Sequence, residues 1–152
     1  QLCQFIKNTD KIMYDFGSGA GFPAIVLSIV GKQLFPELKI FLVESITKKA
    51  LFLNTVKNEL NLNIEVINDR IENIKAKNVD LISSRAMASL ERLIDYSKPF
   101  CNKNTRLIFP KGSKYKEEID LSLKKWKFDF DVIQSKTDET GKILYIRNIR
   151  RK

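Results

Sequence analysis

The sequence contains no histidine and only two cysteines among its 152 residues. Without histidine, the chain cannot form a histidine-based catalytic triad, an HExxH metal site or most schemes that use histidine as a general base. The spacing of Cys3 and Cys101 matches no metal-binding motif, and we expect both to be reduced thiols in a cytoplasmic protein. The sequence therefore predicts no metal site.

Long apolar runs are absent as well. No run approaches the ~20 residues of a membrane-spanning helix, and the first residues show no secretory signal pattern. The chain begins at Gln1 without an initiator methionine, which is expected for a fragment of a longer protein. A hydrophobic content of 43% over 152 residues supports one globular domain with a sizeable core. We expect a single domain over residues 1–152, monomeric and without membrane association.

Acidic residues are outnumbered, with 18 acidic against 27 basic residues and a net charge of +9. Such an excess favours an anionic partner, most commonly nucleic acid, because the release of condensed counterions contributes affinity. A lysine-rich proteome would give the same composition for solubility alone. Charge therefore points to nucleic acid without deciding for it.

The most informative stretch follows a short apolar run near the start of the chain. The run predicts a β-strand over Ile12–Phe16, and the apolar-periodic segment beyond it predicts a helix that begins near Pro23. Between them lie glycines at alternate positions: Gly17, Gly19 and Gly21. They allow a tight turn and bring a ligand close to bare N–H groups. Asp15 lies at the carboxyl end of the strand, where open α/β sheets bind ligands.

The spacing of these glycines distinguishes between nucleotide-binding motifs. A dinucleotide fingerprint would place its third glycine at the position of Phe22, and the Gly-Lys-Ser/Thr of a P-loop is absent. The pattern D-x-G-x-G-x-G from Asp15 resembles motif I of class I S-adenosylmethionine (AdoMet) methyltransferases. This resemblance implies that Asp15 lies near the cofactor's amino group and the glycine backbone near its methionine moiety. A nicotinamide-dependent oxidoreductase is an alternative that Phe22 argues against.

Predicted strands and helices alternate five times along the chain. The strands are expected at 12–16, 38–43, 64–67, 79–83 and 105–109, and a hairpin at 128–135 and 143–149. This pattern predicts an α/β fold with a doubly wound, mostly parallel, seven-stranded Rossmann-like sheet and a C-terminal antiparallel hairpin. Right-handed crossovers place the carboxyl ends of all parallel strands at one rim of the sheet.

The predicted helices lie at about 23–31, 48–60 and 114–125, and a further helix is capped by Ser89. Helical spacing predicts the core face of the first helix from Ile25, Val26, Ile29 and Val30. The same argument predicts a buried stripe on the second helix from Ala50, Leu51, Phe52, Leu53, Val56 and Leu60.

Three charged residues follow strands and are expected at the ligand-binding rim. Glu44 ends the second strand, where a carboxylate can accept both hydroxyl groups of an adenosine ribose. NAD and AdoMet share that ribose, so Glu44 does not separate them. Arg85 follows the fourth strand and Lys111 the fifth. A salt bridge from Arg85 to Asp15 or Glu44 is the alternative to a role in binding.

Two motifs together resemble one family closely. Residues 15–23 read D-F-G-S-G-A-G-F-P and residues 84–90 read S-R-A-M-A-S-L, and both resemble the signature of ribosomal RNA small subunit methyltransferase G, also called glucose-inhibited division protein B. The resemblance continues in matching order through 43–53, 68–72 and 110–112, and so covers most of the chain.

The chain also departs from the family pattern in places. Ala24 replaces a usual glycine, and Pro110 replaces a usual leucine before Lys-Gly. The family also has a helical N-terminal segment with a histidine, which this chain is expected to lack.

The resemblance implies an AdoMet-dependent enzyme that methylates N7 of a guanosine in 16S ribosomal RNA or the small ribosomal subunit. It implies AdoMet contacts from Gly17, Phe22, Ile71, Glu72 and Arg85. Glu44 is carried over as the ribose acid, although the family more often has aspartate there. Guanine N7 presents a lone pair at neutral pH, so the missing histidine is no objection.

Arg85 is the residue expected to lie between cofactor and RNA, as a positioning rather than an acid–base group. Lys48, Lys111 and Lys114 are the candidate RNA contacts. Two further functions stay open: another AdoMet methyltransferase that acts on a small molecule or protein, and a non-catalytic RNA-binding or assembly module on the same fold.

Overall fold

The computed structural model describes residues 1–75 and 78–152. The strands are β1 Ile12–Phe16, β2 Lys39–Val43, β3 Ile64–Ile67, β4 Val79–Ser84, β5 Cys101–Lys111, β6 Trp126–Gln134 and β7 Lys142–Arg151. The α-helices are α1 Ala24–Leu34, α2 Thr47–Leu60, α3 Leu90–Ser97 and α4 Tyr115–Lys125. Short 3-10 helices span Leu2–Phe5, Ile71–Asn73 and Lys98–Phe100.

The strands form one seven-stranded sheet in the order β3-β2-β1-β4-β5-β7-β6. β1 pairs in parallel with β2 and β4, while β7 runs antiparallel between β5 and β6. The register sets Asp15 opposite Ser83 and Phe16 opposite Val43. The predicted mostly parallel sheet with a C-terminal antiparallel hairpin is confirmed.

The sheet is covered on both faces by apolar side chains. Tyr14 and Phe16 of β1 belong to the cluster that contains Leu90 of α3. Met13 belongs to the second cluster, with Ile25 of α1. Because side chains alternate along a strand, Asp15 lies on the same face as Met13, the face that α1 covers.

The core face predicted for α1 is wrong at three positions. Ile25 is buried as expected, but Val26, Ile29 and Val30 are exposed by 44%, 46% and 37%. The residues of α1 that are buried are instead Ala24, Ile25, Leu27, Ser28 and Gly31. Several of these are small, so the helix can lie close to the sheet and the larger side chains of the neighbouring stripe face outward.

The stripe predicted for α2 is likewise only partly buried. Ala50 and Leu53 are buried, but Leu51, Phe52 and Leu60 are exposed by 63%, 52% and 47%. Adjacent apolar residues on a helix cannot all face one partner, and the narrow contact of α2 with the sheet leaves the outer ones exposed.

Nowhere in 1–75 or 78–152 does the structure contain a helix with the length and apolarity needed to span a membrane.

Candidate active site

The glycine turn follows β1 and packs against the end of β2. Gly17 has φ of +66°, and its N–H donates to the carbonyl oxygen of Val43 at 2.9 Å. A Cβ at Gly17 would lie 2.7 Å from the sulfur of Met87. Gly21 has φ of +93°, and its Cβ would overlap the side chain of Ile25. The turn therefore requires glycine at both positions.

Glu44 is buried and tied to the turn rather than exposed at the rim. Its Oε2 accepts the N–H of Gly19 at 2.7 Å, and its Oε1 accepts the N–H of Ile46 at 2.9 Å. Each carboxylate oxygen can accept more than one hydrogen bond, so capacity for a ribose hydroxyl remains. Glu44 thus fixes the glycine turn to β2, and its ribose contact stays a prediction.

Asp15 is a buried carboxyl group at the carboxyl end of β1. Its Oδ1 accepts the hydroxyl of Ser83 at 2.5 Å, while Oδ2 is buried with no hydrogen-bond partner in the described parts of the chain. Burial raises the pKa of Asp15 to about 7, although the hydroxyl groups of Ser83 and Ser18 lower it. An unpartnered buried oxygen of this kind can receive a cationic donor such as an ammonium group.

A first pocket of about 210 Å³ opens beside the glycine turn. The residues that shape it include Gly17, Val43, Ile71, Glu72, Met87 and Tyr96. Three predicted cofactor residues, Gly17, Ile71 and Glu72, thus lie together. Ile71 is buried and Glu72 exposed. Apolar and aromatic walls beside a glycine backbone are suited to a planar purine.

A second, larger cleft of about 740 Å³ is bordered by the loop that follows β4. Its lining includes Phe22, Arg85, Met87, Lys111, Glu118 and Lys142. Phe22, predicted as an AdoMet contact, lines this cleft with 54% of its surface exposed and is not among the residues of the first pocket. Met87 lines both spaces, and it forms the wall between them.

Arg85 is exposed and lines the cleft. Within the described residues its guanidinium forms no hydrogen bond or ion pair, so the alternative salt bridge to Asp15 or Glu44 is not formed. An unpaired guanidinium at the mouth of a cleft is available to a base or a phosphate.

The three lysines predicted as RNA contacts differ in their surroundings. Lys48, in the first turn of α2, and Lys114, just before α4, are exposed. The side chain of Lys111 is only 9% exposed, and its Nζ lies 2.7 Å from Oε2 of Glu118. The phosphate contact predicted for Lys111 stays a prediction, and in this structure its Nζ already has a carboxylate partner.

Met87 and Tyr96 are site residues that the sequence reasoning missed. Met87 stands in the S-R-A-M motif, two residues after Arg85, and that proximity was the available signal. Tyr96 reaches the first pocket from α3, near the C-terminal end of that helix. Its position depends on how α3 packs, and no local pattern reports it.

The family model described as rRNA small subunit methyltransferase G matches residues 1–145. The ribosomal RNA small subunit methyltransferase G of Orientia tsutsugamushi (strain Boryong) is 43% identical over 147 residues, which is 97% of this chain and 71% of the relative. The protein of the same name from Ruegeria sp. (strain TM1040) is 35% identical over 137 residues, 90% of this chain and 67% of the relative. The chain belongs to the rRNA small subunit methyltransferase G family.

Solved structures share the fold at lower identity. A ribosomal protein L11 methylase from Lactobacillus delbrueckii subsp. bulgaricus superimposes with a TM-score of 0.72 at 17% identity, over 99% of this chain and 74% of that one. A SAM-dependent methyltransferase from Aquifex aeolicus gives a TM-score of 0.70 at 16% identity, over 90% and 81% of the two chains. The expected enzyme class, an AdoMet-dependent methyltransferase, is confirmed by the family.

The residues present fit AdoMet. The buried Oδ2 of Asp15, which has no hydrogen-bond partner among residues 1–75 and 78–152, suits an ammonium group in charge, although Asp15 is not among the residues that line either space. The turn at Gly17 has no space for a side chain. Ile71, Met87 and Tyr96 supply walls for a purine.

Replacing Gly17 with alanine is expected to weaken AdoMet binding by about tenfold. The turn holds position 17 at a positive φ, which costs alanine roughly 1–2 kcal/mol, and the new Cβ pushes Met87 out of the wall that both spaces share. Isothermal titration of AdoMet measures the change. Gly31→Ala is the matched control, because a Cβ there meets no described atom within 4 Å beyond its chain neighbours and the backbone of its own helix. Unchanged affinity in Gly17→Ala would contradict the tight approach inferred for the turn.

Proposed function

We propose that this chain transfers a methyl group from AdoMet to N7 of a guanosine in 16S ribosomal RNA, in the cytoplasm, with residues 1–152 forming one methyltransferase domain. Support comes from the family and from curated relatives named ribosomal RNA small subunit methyltransferase G. The observation that carries the proposal is the pair of spaces that meet at Met87. One is small and apolar-walled, and the other is large and bordered by Arg85, which has no side-chain partner within residues 1–75 and 78–152.

In the cofactor site, Asp15 would bind the ammonium group of AdoMet, and the backbone of Gly17, Gly19 and Gly21 would hold its methionine moiety. Glu44 accepts a ribose hydroxyl while it holds the turn through Gly19. Ile71 and Glu72 would hold the adenine, with Met87 and Tyr96 as further walls of the same pocket. Phe22 contributes from the cleft side of the turn, where it borders the target nucleotide.

When bound, AdoMet supplies an electrophilic methyl group on a sulfonium. Guanine N7 carries a free lone pair at neutral pH, so no residue has to remove a proton. The protein's contribution is orientation, which can supply several kcal/mol of the barrier by holding the two reactants in line. Arg85, whose guanidinium has no partner in the part of the chain that the structure describes, binds the target nucleotide through its base or its phosphate.

The RNA is held by basic residues around the cleft. Lys48 and Lys114 are exposed, so their charge is available to phosphates. The net charge of +9 supplies the sequence-independent share of RNA affinity through counterion release. We expect that affinity to fall steeply as salt concentration rises.

The decisive experiment incubates the protein with methyl-labelled AdoMet and either 30S subunits or naked 16S RNA. Label in RNA, released as 7-methylguanosine on digestion, is the expected result. AdoMet binding without RNA labelling would favour the non-catalytic module, and labelling of another substrate class would favour a different methyltransferase. Failure to bind AdoMet would contradict the whole proposal.

Replacing Arg85 with alanine is expected to lower the rate of RNA methylation by a factor of about one hundred, while the Kd for AdoMet changes less than threefold. Arg85 borders the cleft and not the first pocket, so its loss removes an RNA contact only. Single-turnover methylation and AdoMet titration measure the two quantities. Arg85→Lys tests whether the planar guanidinium matters, because lysine keeps only the charge. A parallel loss of AdoMet affinity would make Arg85 a cofactor residue instead.

A further inference from the structure

The Nζ of Lys111 is committed to protein partners. Lys111 ends β5, and its Nζ donates to the carbonyl oxygen of Ala88 at 2.9 Å and to Oε2 of Glu118 at 2.7 Å. Its side chain is 9% exposed and that of Glu118 25%. Binding an RNA phosphate would require Lys111 to leave both partners, and Glu118 would then keep a part-buried charge without its counter-ion.

Glu118 joins this contact to the start of α3. Its Oε2 also accepts the N–H of Leu90 at 2.6 Å. Ser89 occupies the N-cap position predicted for it, but its side chain makes no capping hydrogen bond. The cap of α3 is therefore supplied from α4 by Glu118, whose negative charge also suits the positive end of the α3 dipole.

The loop over residues 85–88 is thus held at both ends. At its start, the hydroxyl of Ser84 donates to the carbonyl oxygen of Phe16 at 2.9 Å, which fixes it to the glycine-turn strand. At its end, Lys111 holds Ala88. Ala86 between them adopts φ of +52°, a conformation that costs a non-glycine residue energy and persists where the surroundings enforce it. This loop carries Arg85 and Met87, the residues on which the two spaces depend.

We propose that Lys111 and Glu118 are positioning residues that hold the 85–88 loop as the partition between the cofactor pocket and the target cleft, and that Lys111 does not bind RNA phosphate. The proposal rests on the proposed function, because its effect on the reaction is read as methyl transfer to RNA. Small displacements of reacting groups can cost up to a hundredfold in rate, so loosening this partition slows the reaction without removing any group that touches RNA.

The experiment compares Lys111→Met and Glu118→Ala with wild type. Both variants are expected to lower kcat for RNA methylation ten- to hundredfold, with a smaller change in KM for RNA. In an Arg85→Ala background, Lys111→Met is expected to add a smaller further loss than in wild type, because one of the two residues that the loop positions is then already absent. Lys111→Arg keeps the charge and should restore part of the rate. Glu117→Ala, at an exposed neighbour of Glu118, is the matched control that keeps wild-type kcat.

Salt dependence separates positioning from phosphate binding. The slope of log affinity for RNA against log salt is expected to stay at the wild-type value in Lys111→Met and to fall by about one unit in Lys114→Met. A fall by one unit in Lys111→Met, with kcat kept in Glu118→Ala, would overturn the proposal and make Lys111 a phosphate contact. If both variants had lower thermal stability but wild-type kcat, Lys111 and Glu118 would have only a structural role, and the proposal would be overturned as well.

Amide hydrogen exchange tests the partition without any RNA. The N–H of Leu90 is expected to exchange faster in both Glu118→Ala and Lys111→Met than in wild type or Glu117→Ala. Unchanged exchange at Leu90 would overturn the proposal. Absence of RNA methylation by the wild-type protein would instead count against the proposed function, and the exchange measurement would still report on the loop.

Discussion

Replacing Asp15 with asparagine is expected to stabilise the cofactor-free protein above pH 7 and, in the same variant, to weaken AdoMet binding tenfold or more. Burial raises the pKa of the Asp15 carboxyl from 3.8 to about 7, so the folded protein holds this proton more tightly than the unfolded chain. Between those two pH values the folded state binds more protons, and stability therefore falls as pH rises. Above pH 7 the full cost, on the order of 4 kcal/mol, is present.

Asparagine removes that cost because it carries no charge, and its oxygen can still accept the hydroxyl of Ser83. The stability difference between variant and wild type is expected to grow from pH 4 to pH 7 and then to stay constant. Urea unfolding at pH 5, 6, 7 and 8 measures it. Ser83→Ala is a useful comparison, because it removes a hydrogen bond that lowers the pKa and should deepen the wild-type pH dependence.

The same replacement is expected to weaken AdoMet binding even though it stabilises the fold. The cofactor's ammonium group gains a charge-assisted hydrogen bond only from a carboxylate. Such bonds contribute about 1.5–3 kcal/mol, which corresponds to roughly ten- to a hundredfold in Kd. Titration of AdoMet into both proteins at pH 8 tests this. If the variant gained stability and kept full affinity, Asp15 would be a structural group with no role in binding the cofactor.

Replacing Asp10 with alanine is expected to destabilise the fold by about 3–5 kcal/mol. Asp10 and Arg106 form an ion pair in which the two side chains are only 5% and 6% exposed. Arg106 also donates to the carbonyl oxygen of Phe5 at 3.1 Å, and Asp10 accepts the N–H of Lys7 at 2.6 Å. Removal of the carboxylate leaves a buried guanidinium without its counter-ion and releases the segment before β1. The midpoint of urea unfolding reports the loss.

Lys11→Ala is the matched control for this prediction. Lys11 pairs with Glu37 at 3.6 Å, but the two side chains are 70% and 71% exposed. Exposed pairs of this kind contribute about 0–1 kcal/mol. A double replacement of Asp10 by leucine and Arg106 by methionine should cost less than Asp10→Ala, because no charge is then stranded. Equal costs for the exposed and buried pairs would contradict the argument.

The alternation of strands and helices and the glycine turn could be predicted because their signals are local. The bounds of β1 and β3 match the prediction, since turn residues flank short β-branched or aromatic runs. The start of β5 did not, because Asn102, Lys103 and Asn104 are polar and exposed, and the pairing of β4 with β5 shifts register there. The residues at that end of β5 form a strand because they pair with β4, and not because of their intrinsic strand propensity.

The apolar face of α1 shows a second limit. Two faces of the helix are apolar in the sequence, one with small residues and one with Val26, Ile29 and Val30, and periodicity cannot choose between them. The fit of the small residues against the sheet decides the orientation, and that fit exists only in the folded protein.

The candidate site could likewise be predicted only in part from the sequence. Gly17, Ile71 and Glu72 follow strands, so their meeting at one rim follows from topology. The pairing of Glu44 with Gly19, the wall formed by Met87, and the link between Lys111 and Glu118 are tertiary contacts that depend on side-chain packing. No spacing rule predicts them from the sequence.

The position of β7 also determines when this protein can fold. β7 ends the described chain, yet it inserts between β5 and β6, and its Leu144 and Ile146 are completely buried. The carboxyl group of Asp15 likewise gains its hydrogen-bond partner only from Ser83, 68 residues later in the chain. Sheets built from such distant pairings fold slowly, because long loops must close before contacts form. A nascent chain that stops short of residue 142 therefore exposes the edge of β5, and it depends on rapid completion to avoid association through that edge.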